Sequence, residues 1–338
     1  MRTAGLGESA WMPTSAAGAG ACDGDHAMKY ESILQVIGDT PLVGVHALSP
    51  NPDVRIYAKL EGQNPGGSMK DRIALRMVEV AERDGVLTSG DTILEPSSGN
   101  TGIGLALVAR MKGYRLRIVL PENVSEERRQ MLEIFGAEVV PSPGEEGSNG
   151  AIRLAEKLAA EDPSLVMLFQ YGNPANPDAH YSTTGPEILR DCPEVDVFVA
   201  GLGTSGTLMG VGRYLKEQKP DVRVVAVEPP AGELVQGLRS LEDGFVPPIF
   251  DPTVLDRKFI VRPRESVEWT RRLLDECGIF AGISSGAVAA GAAKMAATMD
   301  AGTIVTLIPD GGWKYLSSGA WTEDIDVVTE RVNRINYW

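Results

Sequence analysis

The fold is decided around the stretch Asn64-Pro65-Gly66-Gly67-Ser68-Met69-Lys70-Asp71-Arg72. Its proline, two glycines and serine predict a turn, and the apolar residues that follow, from Ile73 to Ala81, have helical spacing. Lys70 is therefore expected at or near the start of a helix, where the helix dipole disfavours a cation. Either Lys70 points into water, or it is partly buried, so that its amine is more easily neutral and able to form a Schiff base.

Length and charge narrow the classes to which this protein can belong. Its 338 residues suffice for one large or two medium domains, and 43% of them are hydrophobic, which is enough for a substantial core. No run approaches the roughly 18 apolar residues that a membrane span needs. The net charge of -14 argues against nucleic acid and anionic membranes as partners. An anionic ligand would have to be bound by local donors.

The residues that could bind a metal or form disulfides are scattered. The three cysteines and three histidines form no cluster with metal or redox spacing, so no metal site or Ser-His-Asp triad is indicated, and the reducing cytoplasm is the expected compartment. Residues 1–27 are rich in Gly and Ala and lack the apolar core of a secretory signal. They are predicted to form a disordered leader, and no role is assigned to Cys22 or His26 within it.

Beyond the leader, strand-like and helix-like apolar patterns alternate, which predicts an α/β fold. Two strand patterns, Val195–Ala200 and Val222–Val227, are apolar on both faces, as is typical of buried parallel strands. The number of units predicts two domains with mostly parallel twisted sheets, and ligands should bind between them at the carboxyl ends of strands. The expected division is a smaller amino-terminal domain over 50–155 and a larger domain over 28–49 and 156–338.

The first polar loop after a predicted strand is Glu95-Pro96-Ser97-Ser98-Gly99-Asn100-Thr101-Gly102. It brings hydroxyls, a carboxamide and flexible backbone to the start of an apolar helix. A carboxylate can bind there, because backbone N–H groups, the helix dipole and side-chain donors converge. An ordinary Ser or Asn helix cap is the simpler alternative.

The second such loop is Gly201-Leu202-Gly203-Thr204-Ser205-Gly206-Thr207. Its glycines allow close approach of a phosphate, and its hydroxyls add donors. The loop also matches the dinucleotide pattern G-x-G-x-x-G, and Glu228 stands where such a site has its ribose-binding acid. We favour a monophosphate cup, because the dinucleotide pattern usually opens its domain and leaves the lysine turn unexplained. An NAD-dependent oxidoreductase is the alternative of a different class.

A third loop, Gly282–Ala287, also precedes an apolar helix. Alone it predicts only a helix cap, but beside the other two loops its hydroxyls could bond a neutral ring nitrogen. One cofactor uses an amine, a phosphate cup, a ring-nitrogen partner and a separate carboxylate site for an amino-acid substrate. That cofactor is pyridoxal 5′-phosphate (PLP).

Together these motifs resemble one known family. The chain resembles the fold-type-II PLP enzymes, which share the tryptophan synthase β-like fold, and within them the cysteine synthase (O-acetylserine sulfhydrylase) branch. Four stretches match the four signatures of these enzymes: Asn64–Arg72, Pro96–Gly102, Gly203–Thr207 and Gly282–Ala287. Shorter matches are Gly38–Leu42, Glu126–Arg129, Asn173–Pro177, Thr184–Glu187 and Tyr315–Ser318. Within the branch, Trp313–Tyr315 and Asp243–Pro247 are most similar to the actinobacterial cysteine synthase B type. Those enzymes use O-phosphoserine and a thiocarboxylated sulfur-carrier protein.

The resemblance implies a role for each matching residue. Lys70 would hold PLP and later move the substrate's α-proton. Asn100 would contact the ring's 3′-oxygen and Ser284 the ring nitrogen, with Ser285 as the substitute if the register differs by one. The phosphate would be held by Gly203, Thr204, Ser205, Gly206 and Thr207. The substrate carboxylate would be bound by Ser97, Ser98, Asn100, Thr101 and Gln170.

The implied reaction is a β-replacement that makes L-cysteine from O-acetylserine or O-phosphoserine and a sulfur donor, either sulfide or the carrier protein. The leaving group stays open, because the O-phosphoserine-using relatives have an arginine where this chain has Pro230. Arg239 is nearby but is interpreted as an exposed helix charge. The alternatives among PLP enzymes are cystathionine β-synthase chemistry and diaminopropionate formation.

The resemblance also implies partners. A homodimer is expected, with serine acetyltransferase or a sulfur-carrier protein as a binding partner. The carboxyl-terminal residues Asn336–Trp338 either fray or, as in the sulfur-carrier type, enter the active-site cleft.

Overall fold

The computed structural model of the protein describes residues 29–97 and 99–334. The chain divides into a short unit that ends at Glu31 and a compact unit that begins at Ser32, and the fold given below is that of the compact unit. Among the described residues, no helix is both long and apolar enough to cross a membrane. The predicted leader, residues 1–27, lies outside the described residues.

The larger of two sheets has six strands in the order β1-β2-β10-β7-β8-β9. The edge strand β1 is antiparallel to β2, and every other pair in this sheet is parallel. The strands are β1 (Leu42–Gly44), β2 (Val54–Leu60), β7 (Val197–Gly201), β8 (Arg223–Glu228), β9 (Arg257–Ile260) and β10 (Gly302–Ile308).

The smaller sheet has four strands in the order β5-β4-β3-β6, and all its pairs are parallel. The strands are β3 (Thr92–Pro96), β4 (Arg115–Pro121), β5 (Glu138–Ser142) and β6 (Leu165–Met167). The predicted α/β class with mostly parallel sheets is therefore confirmed.

Helices connect the strands as parallel crossovers require. In the described chain they are α1 (Lys70–Arg83), α2 (Asn100–Lys112), α3 (Glu126–Ile134), α4 (Gly147–Glu161), α5 (Ala175–Ala179), α6 (Gly185–Asp191), α7 (Gly206–Gln218), α8 (Pro263–Cys277), α9 (Ile283–Ala296) and α10 (Ile325–Arg334). A π-helical turn, His180–Thr184, joins α5 to α6, and a 3₁₀ segment, Gly312–Ser318, follows β10.

Both faces of the larger sheet are buried. Alternate residues of β7, such as Val197 and Val199, enter one apolar core with α9, whereas Phe198 and Ala200 enter another with α7. The apolar pattern on both faces, from which buried parallel strands are predicted, has this origin. The sheets are thus rigid supports, and the loops at the carboxyl ends of their strands are free to carry polar groups.

Two features differ from the sequence-based expectation. The sequence has helix-like spacing from Tyr30 to Gly38, but the structure has only a short 3₁₀ turn there, Ile33–Val36, after which Ile37 is extended and Gly38 and Asp39 have positive φ. The domain boundaries stay a prediction, but β2 pairs with β10 in the larger sheet and β6 pairs with β3 in the smaller one. Both strands therefore lie on the other side of the predicted division, because pairing between strands distant in sequence leaves no local pattern.

Candidate active site

Lys70 is the first residue of α1, as its preceding turn predicts. The turn is held in place because Ser68 forms a β-bridge with Asp310, and the Met69 N–H donates to Pro309 O at 2.9 Å. Burial lowers the pKa of Lys70 to about 8, although the charge of Asp310 acts in the opposite direction. The amine is thus neutral far more often at neutral pH than that of an ordinary lysine, and the structure favours the partly buried amine over one that points into water.

A buried ion network, which sequence reasoning missed, anchors the helix that carries Lys70. The Arg72 guanidinium donates to both oxygens of Glu61 at 2.7 and 2.8 Å and to both oxygens of Glu187 at 2.6 and 2.8 Å. Lys59 adds a bond to Glu187 at 2.7 Å, and these side chains are almost fully buried. The first turn of α1 is therefore tied to β2 and to α6. Only the spatial proximity of these charges reveals the network, because they are distant in sequence.

The first polar loop, which is predicted to bind a carboxylate and is called the carboxylate loop below, lies at the carboxyl end of β3 and leads into α2. Ser97 Oγ accepts the Gly102 N–H at 3.0 Å, which is the helix cap that the sequence left as the simpler alternative. Its own hydroxyl hydrogen is still available to a ligand. Thr101 Oγ1 donates to Gln170 Oε1 at 2.6 Å, which joins the loop after β3 to the loop after β6. Ser97, Asn100, Thr101 and Gln170 therefore share one wall, whereas Ser98 lies outside the described residues.

The glycine loop lies between β7 and α7 and has the form of a cradle. A side chain at Gly206 would place its Cβ 1.8 Å from Asn176 Oδ1, and one at Gly203 would place it 2.7 Å from the backbone oxygen of Gly237. Ser205 sits at the start of α7 with φ of +69°, a conformation that non-glycine residues adopt at a cost and often at functional sites. Its buried Oγ has no partner among the described residues.

Two adjoining cavities meet at Lys70. The first, of about 570 Å³, is lined by Lys70 and Thr204 and by the wall formed by Ser97, Asn100, Thr101 and Gln170. The second, of about 440 Å³, is lined by Lys70 and Asn100 together with Thr207 and Ser284. The structure therefore brings the lysine, the carboxylate loop, the glycine loop and the third polar loop to one cleft. Ser284, rather than Ser285, lines it, and Ser205 and Gly206 are not among the lining residues of either cavity.

The interpretation of Arg239 as an exposed helix charge is wrong. Arg239 lies in a loop and lines the first cavity with only 7% of its surface exposed. Its guanidinium stacks on the rings of Tyr171, 5.5 Å away, and Phe245, 4.7 Å away. Burial of these apolar rings against the loop holds the cation in the cleft.

Glu228 is not available as the ribose-binding acid of a dinucleotide site, which is the alternative role suggested by its position in the sequence. It is 1% exposed and already accepts from Lys258 Nζ at 2.7 Å and from the Leu241 N–H at 3.2 Å. An acid bound in this way holds β8 against the following loop and is not free to take a ribose hydroxyl.

His180 is a second residue that sequence reasoning missed. It lies in the π-helical turn, fully buried, with Nε2 3.2 Å from Thr207 Oγ1 and Nδ1 2.9 Å from Thr184 Oγ1. Burial, with the charges of Lys70 and Arg72, holds its pKa well below the ordinary value, so the imidazole is neutral. The π-helical turn could not be predicted from the sequence pattern, although such turns are frequent at functional sites.

PLP fits the residues of this cleft. The partnerless hydroxyl of Ser205 and the cradle of small residues at the start of α7 suit a phosphate, since backbone N–H groups and the helix dipole face it. The amine of Lys70 suits a carbonyl, and the hydroxyl of Ser284 on the cleft wall suits a neutral ring nitrogen. The hypothesis about the tail Asn336–Trp338 falls on residues that lie outside those described.

Comparison with known proteins agrees with this geometry. Residues 33–310 match the family model described as pyridoxal-phosphate dependent enzyme. The chain is 44% identical over 304 residues to a cysteine synthase of Staphylococcus aureus, covering 87% of this chain and 98% of that protein. It is 40% identical over 294 residues to the cysteine synthase B of Salmonella typhimurium, covering 87% of this chain and 97% of that protein.

The fold agrees as well. The crystal structure of an O-ureido-L-serine synthase superimposes with a TM-score of 0.82 at 41% identity, covering 87% of this chain and 95% of the other. The predicted NAD-dependent alternative receives no support from these matches. The resemblance that the four loop signatures indicated is confirmed, and the chain belongs to the cysteine synthase family of PLP-dependent enzymes.

Proposed function

We propose that this protein makes L-cysteine by β-replacement, from a serine activated at its hydroxyl and a sulfur donor. The observation that carries the proposal is the amine of Lys70, which is buried, has a pKa of about 8 and lies between a carboxylate loop and a phosphate cradle. Bound PLP supplies an electron sink for the substrate's α-carbon. The protein's own task is to hold, orient and protonate the reacting groups.

We assign the residues of the cleft as follows. Lys70 is the base that takes the α-proton of the substrate and the acid that returns it, since its pKa lies near the working pH. Ser97, Gln170 and the backbone N–H of Thr101, with the other first N–H groups of α2, bind the substrate carboxylate, and Ser98 is assigned to the same group. Ser284 donates to the neutral ring nitrogen. Asn100 contacts the ring oxygen. The phosphate is bound by Gly203, Thr204, Ser205, Gly206 and Thr207.

The charges around the cleft support an anionic leaving group. The basic side chains that line the first cavity are Lys70, Arg128 and Arg239, and no Asp or Glu is among the described residues that line it. Because Pro230 removes the cation that O-phosphoserine-using relatives have at that position, Arg239 is the best-placed substitute. We therefore propose O-phosphoserine as a better substrate than O-acetylserine.

The assay supplies the purified protein with PLP, sulfide and each activated serine, and measures L-cysteine. Lys70→Ala should abolish product with both substrates. Arg239→Gln should raise KM for O-phosphoserine by about tenfold, the value of a hydrogen bond to a charged group, and should leave O-acetylserine almost unaffected. Arg262→Gln, which alters an exposed arginine outside the cleft, is the control. Product from Lys70→Ala would contradict the assignment of the base, and equal effects on both substrates would contradict the role of Arg239.

A different nucleophile is the second candidate. A neighbouring cavity shares Arg239 with the first and is lined by three acids, Glu145, Glu146 and Asp243. These charges would attract an amine-bearing nucleophile and repel sulfide, and the O-ureido-L-serine synthase shares 41% of its sequence with this chain. A competition assay supplies sulfide and one other nucleophile at equal concentrations. The other nucleophile is ammonia, which would give 2,3-diaminopropionate, or homocysteine or hydroxyurea, and the mass of the product shows which nucleophile has reacted.

The assembly and compartment are further proposals. We expect a homodimer, with serine acetyltransferase or a thiocarboxylated carrier protein as an additional partner. A reducing compartment such as the cytoplasm suits Cys192, a buried free thiol. Light scattering on the purified protein, with and without such a partner, measures the assembly.

A further inference from the structure

The amide of Asn100 is bonded on both sides by charged groups from one segment. Its Nδ2 donates to Asp310 Oδ2 at 2.7 Å, and its Oδ1 accepts from Lys314 Nζ at 2.7 Å. Asp310 lies two residues after the end of β10, and Lys314 lies in the 3₁₀ segment that follows. Both charged side chains are completely buried, whereas Asn100 reaches into both cavities of the cleft.

The chemistry of the two charged groups allows only one orientation of the amide. A carboxylate only accepts hydrogen bonds and an ammonium group only donates them. The Nδ2 atom must therefore face Asp310, and the Oδ1 atom must face Lys314. One Nδ2 hydrogen is used by Asp310, and the other is left to donate toward the cleft. Either charged group alone would impose the same orientation, so the two are redundant.

The same segment is tied to the turn that carries Lys70. Lys314 Nζ also donates to Gly67 O at 3.1 Å, and Asp310 forms the β-bridge with Ser68. Tyr315 OH donates to Asp310 Oδ2 at 2.6 Å, which holds the carboxylate in place. Asn100 follows β3 of the smaller sheet and its partners follow β10 of the larger one, so the contact joins the two sides of the cleft.

We propose that Asp310 and Lys314 are positioning residues that hold the Asn100 amide in the one orientation in which it donates to the ring oxygen of bound PLP. This inference rests on the contact of Asn100 with that oxygen, which belongs to the proposed function. It assigns a task to two buried charges that the reaction itself does not use.

The test replaces each charge by an amide that can either donate or accept. Asp310→Asn and Lys314→Gln are prepared singly and together, each with Asn100 intact and with Asn100→Ala. The double variant removes both charges at once, so it leaves neither of them buried without its partner. The dissociation constant of PLP is measured by titrating the apo form of the full chain, and visible circular dichroism of the bound cofactor reports how the ring is held.

Redundancy predicts a synergistic loss. Each single change should weaken PLP binding by about threefold at most, and the double change by about thirtyfold or more, with a reduced visible dichroism signal. With Asn100→Ala, the synergy between the two changes should disappear, because the side chain through which they act together is absent.

Three outcomes decide the matter. Equal losses with Asn100 intact and with Asn100→Ala would show a merely structural role and overturn the inference. A double loss that equals the product of the single losses would overturn it as well. If Asn100→Ala alone binds PLP as tightly as the unaltered protein, it is the proposed contact of Asn100 with the cofactor that fails, and the positioning role falls with it.

Discussion

Replacing Arg72 by methionine should destabilise the protein far more than the loss of a surface ion pair would. Methionine replaces the aliphatic part of the arginine side chain but lacks the guanidinium, which donates to both oxygens of Glu61 and to both oxygens of Glu187. Arg72 and Glu61 have 1% and 0% of their side-chain surface exposed, and Glu187 has 8%. The two carboxylates would be left buried with Lys59 as their remaining cation.

The expected loss is about 3–5 kcal/mol of the free energy of unfolding, as found when one partner of a buried ion pair is removed. Arg76→Met is a matched control on the same helix, because Arg76 pairs with Asp178 in a half-exposed ion pair. Such a pair contributes about 0–1 kcal/mol. Urea unfolding, followed by tryptophan fluorescence and by circular dichroism, measures both variants.

The function should suffer in parallel, because Arg72 anchors the first turn of α1 and Lys70 begins that turn. We expect weaker PLP binding for Arg72→Met at temperatures at which the variant is still folded. Equal losses of stability in Arg72→Met and Arg76→Met would refute this reasoning, since burial of the network would then contribute nothing.

Three further predictions concern titration and the cradle. Because the pKa of Lys70 is about 8, about one quarter of its amine is neutral at pH 7.5, against about one in a thousand for a lysine with a pKa of 10.5. In the apo form, trace acetylation of Lys70, measured by mass spectrometry, should therefore reach half its maximum near pH 8. A midpoint above pH 10 would contradict this prediction. Burial raises the pKa of Asp71 to about 7. As the pH rises from 4 to 7, the unfolded chain therefore loses the Asp71 proton before the folded protein does, and the free energy of unfolding falls. Asp71→Asn should remove up to about 4 kcal/mol of that fall in urea titrations, and an unchanged pH dependence would count against this prediction. His180→Phe should weaken PLP binding about fivefold by releasing the Thr207 hydroxyl, whereas Thr184→Val, which breaks only the far bond of the imidazole, should have a smaller effect; equal losses would exclude a role through Thr207.

The loops of the site could be predicted from sequence because each is a local signal. Lys70 follows a turn of proline and glycine, and the glycine loop opens a helix, so residue types and their order within a few positions carry the information. Their convergence follows from the fold class, since the carboxyl ends of parallel strands meet at one edge.

What could not be predicted depends on contacts between distant parts of the chain. Arg72 and Glu187 are 115 residues apart, and Lys314 and Asn100 are 214 apart. Arg239 gives no local sign that it is buried, because its environment is made by the rings of Tyr171 and Phe245. Strand pairing that crosses the predicted domain division, as for β2, is non-local in the same way.

The central claim is that Lys70, and no other lysine, holds PLP. A rival lies behind the cleft wall, because Lys314 donates to Asn100 and burial also lowers its pKa to about 8. Reducing the PLP-loaded protein with borohydride makes the bond between lysine and cofactor permanent, and peptide mass spectrometry then identifies the residue. The account predicts the cofactor on Lys70 and none on Lys314, and a modified Lys314 with an unmodified Lys70 would contradict it.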